Sequence, residues 1–110
     1  MEALEMNRVF VMYKLKKGVT IEDYKKWSRE VDQKITPFQK GVKSFEPYEI
    51  KKSMKKEIPF DVVEDVVVES WEAWEEVQKS KAMERVNKDW VNLADEESVI
   101  MIYGEKIESE

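Results

Sequence analysis

Two adjacent acidic residues, Glu64 and Asp65, interrupt a valine-rich segment and are the side chains with the clearest potential for chemistry. Because side chains alternate along a strand, the two carboxyl groups must lie on opposite faces of a sheet. If the strand is central, at least one of them faces a buried environment, and burial raises the pKa of a carboxyl group. Such a group is a candidate general base near neutral pH. A bulge or an ion pair at the rim is the more common role of such residues.

Further carboxyl groups extend this set of candidates. Glu46 lies in the middle of another predicted strand and has the same two interpretations, and Asp32 lies in the first predicted helix. Asp23 is a weaker candidate because capping of that helix already explains it. The catalytic candidates are therefore Glu46, Glu64 and Asp32, and the hydroxyl groups that could act with them as donors belong to Tyr13, Tyr24 and Tyr48.

Aromatic side chains are the candidates for a ligand pocket. Helical spacing places Tyr24 and Trp27 on the apolar face of the first predicted helix, where they would first of all anchor the core. Ligand pockets are also lined mostly by apolar and aromatic groups with a few polar ones. The predicted pocket residues are Tyr13, Tyr24, Trp27, Tyr48 and Trp71.

The composition excludes several classes of chemistry. The chain has no cysteine and no histidine, so thiol catalysis, disulfides and the commonest metal ligands are absent. We therefore expect no metal and no cofactor.

A net charge of −5 argues against a nucleic-acid partner, and no apolar stretch has the roughly 18 residues that a membrane span needs. We expect a cytoplasmic protein. Charged residues make up 39 % of the chain, which is typical of heat-tolerant proteins.

The elements that must position these residues follow the order βαββαβ. Thr20 and Ser70 are good N-caps for two helices, Pro37 ends the first helix, and a break near residues 79–81 interrupts the second. The predicted strands cover about residues 7–15, 42–51, 60–69 and 98–107. This order predicts an α+β, ferredoxin-like fold with a four-stranded antiparallel sheet of spatial order 4-1-3-2. Residues 1–110 form one domain, with residues 1–6 and 108–110 expected to be loose.

The sheet is expected to be apolar on both faces. The runs Val9–Tyr13 and Val99–Tyr103 have no polar residue at their central positions, so they need burial above and below. Two helices can cover only one face. The other face therefore predicts a homodimer that packs through its sheets.

Several short motifs together resemble the RedY-like family over roughly residues 8–107. The N-terminal half contributes Tyr13-Lys14-Leu15-Lys16-Lys17-Gly18-Val19, Glu22-Asp23-Tyr24 with Trp27, Val31-Asp32 and Ser44-Phe45-Glu46. The C-terminal half contributes Met83, Val86, Trp90 and Ala94-Asp95.

This resemblance implies a dimeric α+β barrel with a small-molecule pocket between sheet and helices in each subunit. Some members of the family are associated with the biosynthesis of prodiginine-type pyrrole pigments. Related barrels include cofactor-free monooxygenases, isomerases and ligand sensors, as well as haem-degrading enzymes. Those that bind haem commonly use a histidine, which this chain lacks. The resemblance supplies no catalytic residues that can be transferred, since fold-level kinship is a weak guide to the reaction.

Three functions remain open. The first is a cofactor-independent enzyme, similar to a cyclase, isomerase or monooxygenase, that acts on a small aromatic or pyrrolic molecule. The second is a non-catalytic module that binds or senses a small hydrophobic or aromatic ligand. The third is an assembly role, in which the open sheet face contacts a different protein.

Overall fold

The computed structural model describes residues 7–109. Residues 1–6 and residue 110, which were expected to be loose, lie outside the described residues. Residues 106–109 are exposed and belong to no helix or strand.

Four antiparallel strands form one sheet in the order β2-β3-β1-β4. The strands are β1 (Asn7–Tyr13), β2 (Val42–Glu49), β3 (Val62–Val68) and β4 (Ile100–Glu105). This arrangement confirms the predicted ferredoxin-like fold and its strand order. The strands are shorter than predicted because the chain leaves the sheet early. After β1, for example, Leu15 makes only an isolated bridge to Ala94.

The helices pack on one face of this sheet. The first helical segment consists of α1 (Ile21–Trp27), a π-helical turn (Ser28–Asp32), α2 (Gln33–Ile35) and a 3₁₀ turn (Thr36–Phe38). The second consists of α3 (Trp71–Lys79), a 3₁₀ turn (Lys81–Met83) and α4 (Glu84–Leu93). No helix within residues 7–109 is long and apolar enough to cross a membrane.

Side-chain caps fix where both helical segments begin. The Thr20 hydroxyl accepts a hydrogen bond from the backbone N–H of Asp23, and the Ser70 hydroxyl accepts one from Ala73. Each cap satisfies a donor that the first turn would leave unpaired. The predicted break in the second segment is present at Ser80, where the backbone is extended.

The core lies between the helices and the sheet. Val9, Val11 and Tyr13 of β1 point into it together with Val62 and Val66 of β3. The helices contribute Tyr24, Val31, Trp74, Val77 and Val86. The helix-covered face of the sheet is thus filled by alternate residues of each strand, as the pleat requires.

The opposite face of the sheet, here called the open face, is mainly apolar. Phe10 and Met12 of β1 pair across the sheet with Ile102 and Ile100 of β4, and Val63 of β3 is the neighbour of Met12 on the other side. Ile102 is 51 % exposed and Ile100 is 44 % exposed. No helix within residues 7–109 covers this face.

Candidate functional site

Glu64 is a buried carboxyl group in the centre of the sheet. Its Cα pairs with Val11 on one side and with Pro47 on the other, and its side chain points towards the helices with only 7 % exposed. Alternation sends the neighbouring Asp65 to the open face, where both of its oxygens lie 2.8 Å from Nη1 of Arg8. The two adjacent acids therefore divide as the strand pattern predicts, one buried and one in an ion pair.

Two tyrosines connect to Glu64 in a hydrogen-bonded chain. The Tyr13 hydroxyl donates to Oε2 of Glu64 at 2.5 Å, and the hydroxyl oxygens of Tyr13 and Tyr24 are 2.5 Å apart. A tyrosine has one hydroxyl proton, so Tyr13 accepts from Tyr24 when it donates to Glu64. Both rings are buried, and Trp90 packs edge-on against Tyr13 with ring centroids 5.2 Å apart.

Asp32 is the second buried carboxyl group at this position. It is the last residue of the π-helical turn, and only 3 % of it is exposed. Thr36, which follows one turn later, donates its hydroxyl to Oδ1 of Asp32 at 2.6 Å. Its hydroxyl oxygen also lies 3.6 Å from the sulfur of Met83. A π-helical turn widens the helix locally and is frequently found at functional sites.

A cavity of about 240 Å³ brings these groups together. It lies between the sheet and the second helical segment, and both Asp32 and Glu64 line it. Thr36, Gln78 and Asn87 supply the other polar groups. The apolar walls include Val11, Phe45, Trp74, Met83, Val86 and Trp90. We call this space the acidic cavity.

A larger groove lies elsewhere on the surface. It measures about 450 Å³ and runs between Lys40 and α3, where Glu69, Glu76 and Lys79 are exposed to solvent. Charged groups that remain in contact with water interact only weakly with one another. The acidic cavity is smaller but contains buried ionisable groups, which makes it the better candidate for a functional site.

Burial changes the acidity of the groups around the acidic cavity. Desolvation, and after it the nearby charge of Asp32, raise the pKa of Glu64 from 4.5 to about 8, against the hydrogen bond from Tyr13. Desolvation likewise raises the pKa of Asp32 from 3.8 to about 6, against the hydrogen bond from Thr36. The pKa values of Tyr13 and Tyr24 are raised by burial and then by the charge of Glu64, so both hydroxyls stay protonated.

The other candidates from the sequence lie away from the acidic cavity. Glu46 points to the open face, where it accepts a hydrogen bond from Tyr48 at 3.2 Å. Trp71 packs against Tyr103 of β4, and Trp27 donates its indole N–H to Asp89 at 2.9 Å. Tyr48 lines a separate groove of about 150 Å³. Of the predicted catalytic candidates, the structure therefore brings together Glu64 and Asp32, and it does not bring Glu46 to them.

Sequence reasoning missed Thr36, Trp74 and Trp90 as residues of the site. Trp74 and Trp90 lie on the apolar faces of α3 and α4, where their spacing is equally typical of a core residue. Thr36 precedes Pro37, and its only signal is a spacing of four residues from Asp32, which suits a hydrogen bond along a helix.

Among residues 7–109, no three acidic side chains come close enough to hold a metal ion. The fold and the acidic cavity define a ferredoxin-like α+β protein with a buried carboxyl pair beneath its helices. Residues 7–107 match the family described as REDY-like protein HapK. The chain belongs to this family, which confirms the resemblance seen in its sequence motifs.

Several solved structures share this fold. HapK from Hahella chejuensis has a TM-score of 0.75 at 17 % identity, with 96 % of each chain covered. The At3g17210 protein from Arabidopsis thaliana has a TM-score of 0.77 at 14 % identity, covering 94 % of this chain and 98 % of its own. A protein from Bacteroides fragilis, described as dimeric, of unknown function and with a ferredoxin-like fold, has a TM-score of 0.59 at 8 % identity, covering 91 % and 95 %. Comparison with curated proteins gave no significant match.

Proposed function

We propose that this protein is a cofactor-independent acid–base enzyme that acts on a small aromatic or pyrrolic molecule bound in the acidic cavity. The observation that carries the proposal is the placement of Glu64, a buried carboxyl group on the wall of this cavity. A proton-transfer catalyst works best when its pKa is close to the operating pH. The pKa of Glu64, about 8, meets that condition.

Glu64 acts in this proposal as the group that takes and returns a proton. Tyr13 fixes the orientation of its carboxyl through the hydrogen bond to Oε2, and Tyr24 supports Tyr13 in turn. The carboxylate removes a proton from a carbon next to a carbonyl group, which leaves an enolate. The resulting carboxylic acid then returns a proton to carbon. This cycle consumes no oxidant and needs no metal ion.

The proposed enzyme is a homodimer that packs through the open face. Phe10, Met12, Ile100 and Ile102 form a mainly apolar surface there, which a second copy would remove from water. The relative from Bacteroides fragilis is described as dimeric, which supports the proposal. A cytoplasmic location remains a prediction from the composition.

Exchange of carbon-bound hydrogen for deuterium tests the proposed chemistry without knowledge of the natural substrate. Acetophenone and 2-acetylpyrrole would be incubated with the protein in D₂O at pH 8, and loss of the methyl proton signal would be followed by NMR. We expect exchange above the buffer rate with the wild type, a drop of at least about 100-fold with Glu64→Gln, and no change with Glu75→Gln on the exposed side of α3. Equal rates for the wild type and Glu64→Gln would contradict the proposal.

A non-catalytic role in ligand binding is the second candidate. It is favoured by the largely apolar walls of the acidic cavity, where Val11, Phe45 and Val86 could hold a hydrophobic molecule without chemistry. In that case the same probes would raise the melting temperature of the protein. Their protons would exchange no faster than in buffer.

A further inference from the structure

The acidic cavity has an unbalanced set of charges. Two of the side chains that line it, Asp32 and Glu64, carry carboxyl groups, and no lysine or arginine within residues 7–109 lines it. The remaining polar groups, from Thr36, Gln78 and Asn87, are neutral. Buried charges in proteins are normally paired or hydrogen-bonded, because an isolated one is costly to remove from water.

Each carboxyl group has one oxygen that stays available. Within residues 7–109, Tyr13 is the only side chain that hydrogen-bonds to Glu64, and it uses Oε2. In the same part of the chain, Thr36 is the only side chain that hydrogen-bonds to the side chain of Asp32, and it uses Oδ1. Both residues are more than nine-tenths buried and line the same space. The remaining oxygen of Asp32 is a free acceptor, and the remaining oxygen of Glu64 becomes one when that group is ionised, so the cavity suits a ligand that donates hydrogen bonds.

The walls of the cavity also suit a positive charge on an aromatic molecule. Trp74 and Trp90 both line it. Indole rings attract cations through their electron-rich faces and stack on other rings. A cavity of about 150 Å³ holds a benzene ring, so one of about 240 Å³ holds a ring with a short side chain.

The two carboxyl groups together carry about one negative charge at neutral pH. With pKa values of about 6 and about 8, Asp32 is mostly ionised at pH 7 and Glu64 mostly protonated. The other ionisable groups that face Glu64 are the hydroxyls of Tyr13 and Tyr24, which remain neutral. A ligand with a single positive charge therefore neutralises the site.

We propose that the ligand of the acidic cavity is a small aromatic amine in its protonated form, with the ammonium group bound by Asp32 and Glu64 and the ring held near Trp74 and Trp90. This inference rests on the acidic cavity being the ligand site, as in the proposed function, and it names the class of ligand. It does not depend on the proton transfer assigned to Glu64.

A pair of probes of similar size and different charge tests this inference. Benzylamine is protonated at pH 7, and benzyl alcohol has nearly the same shape but no charge. Titration calorimetry on the wild type should show that benzylamine binds at least about tenfold more tightly than benzyl alcohol. A tenfold difference in affinity corresponds to the free energy of one hydrogen bond to a charged group. Asp32→Asn should lose this preference while it keeps its affinity for benzyl alcohol, and Glu75→Gln should behave as the wild type does.

The results separate this inference from the proposed function. If benzyl alcohol binds the wild type as tightly as benzylamine, or if neither probe binds, the assignment of an amine ligand is wrong. The same holds if Asp32→Asn, shown to be folded by circular dichroism, keeps the preference for benzylamine. The wild-type comparison decides the question even if that variant does not fold. The deuterium exchange of the ketone probes is an independent measurement, so the proposed proton transfer can stand or fail whichever of these results is found.

Discussion

At the scale of single residues, Glu64 is a position where function and stability conflict. It lies on a central strand, with Val62 and Val66 on either side of it on the core face, where an apolar side chain would avoid the cost of burying a carboxyl group. The protein reduces this cost by keeping the carboxyl protonated near neutral pH and by giving it the Tyr13 hydroxyl as a partner. A group retained at such a cost is a reasonable candidate for a functional role.

The raised pKa values predict how stability depends on pH. The folded protein binds protons at Glu64 and Asp32 more tightly than the unfolded chain, whose ordinary values are 4.5 and 3.8. The contribution of these two groups to the free energy of unfolding is therefore greatest at low pH, and it falls as the pH rises from about 4 to about 8. Urea unfolding from pH 5 to pH 9 should show a loss of up to a few kcal/mol.

Glu64→Gln should remove most of this pH dependence, because the amide does not ionise. The variant should gain stability relative to the wild type at pH 9 and differ less at pH 5. Glu75→Gln, on the surface, provides the matched control. A wild-type stability that rises between pH 5 and pH 9, or a slope that survives in Glu64→Gln, would contradict this account.

Tyr13→Phe tests the role of the hydroxyl that orients Glu64. The hydrogen bond from Tyr13 lowers the pKa of Glu64, so its loss should raise that pKa further. We expect the pH at which deuterium exchange reaches half of its maximum to move upward in this variant, by about one unit or less. Tyr48→Phe, on the open face, should leave the midpoint unchanged. Identical midpoints for wild type and Tyr13→Phe would exclude this role.

At the scale of elements, Gly41 positions β2 against α3. Its φ of 93° lies in the left-handed region, and a Cβ added there would come 3.0 Å from the Cβ of Ala73. Gly18 has the same φ, but nothing lies within 4 Å of the corresponding position. Both glycines therefore have a backbone conformation that other residues rarely adopt, but only at Gly41 would an added Cβ also meet a neighbouring atom.

This difference predicts unequal effects of the same substitution. Gly18→Ala should cost about 1 kcal/mol of unfolding free energy, from backbone strain alone. Gly41→Ala should cost about 1 kcal/mol or more beyond that, because α3 must also shift away from the turn. Urea denaturation of the two variants measures both costs. Equal destabilisation would show that the contact with Ala73 is unimportant.

The elements themselves could be predicted from the sequence because their patterns are local. Alternation separated Glu64 from Asp65, and the caps at Thr20 and Ser70 marked both helix starts. The cavity could not be predicted in the same way. Asp32 is the last residue of a π-helical turn, which a 3.6-residue period does not describe, and its relation to Glu64 depends on contacts between distant segments.

The pocket prediction shows the same limit for the aromatic residues. Trp71 and Trp74 fall on one side of α3, and periodicity alone cannot say which of them reaches the cavity. In the structure, Trp74 lines it, whereas Trp71 turns to the edge strand and meets Tyr103. Glu46 was equivalent to Glu64 as a mid-strand acid, but register sends it to the open face.

At the scale of the whole molecule, the open face predicts association. A homodimer should have twice the mass of the 13.1 kDa chain by sedimentation equilibrium at micromolar concentration. Ile102→Lys places a charge in the middle of the apolar surface and should give a folded monomer. Ile107→Lys, at a position that is 92 % exposed beyond the sheet, should remain dimeric. A wild-type protein that is monomeric at this concentration would contradict the dimer.

The central claim is that Glu64 is a buried carboxyl group that titrates near neutral pH on the wall of the cavity. Carbon-13 NMR of protein labelled at the glutamate side-chain carboxyls, with Glu64→Gln to assign the signal, measures this directly. We predict that the Glu64 resonance titrates with a midpoint near 8, well above the ordinary 4.5. A Glu64 midpoint between 4 and 5 would show that this carboxyl is an ordinary acid, and the proposed chemistry would lose its basis.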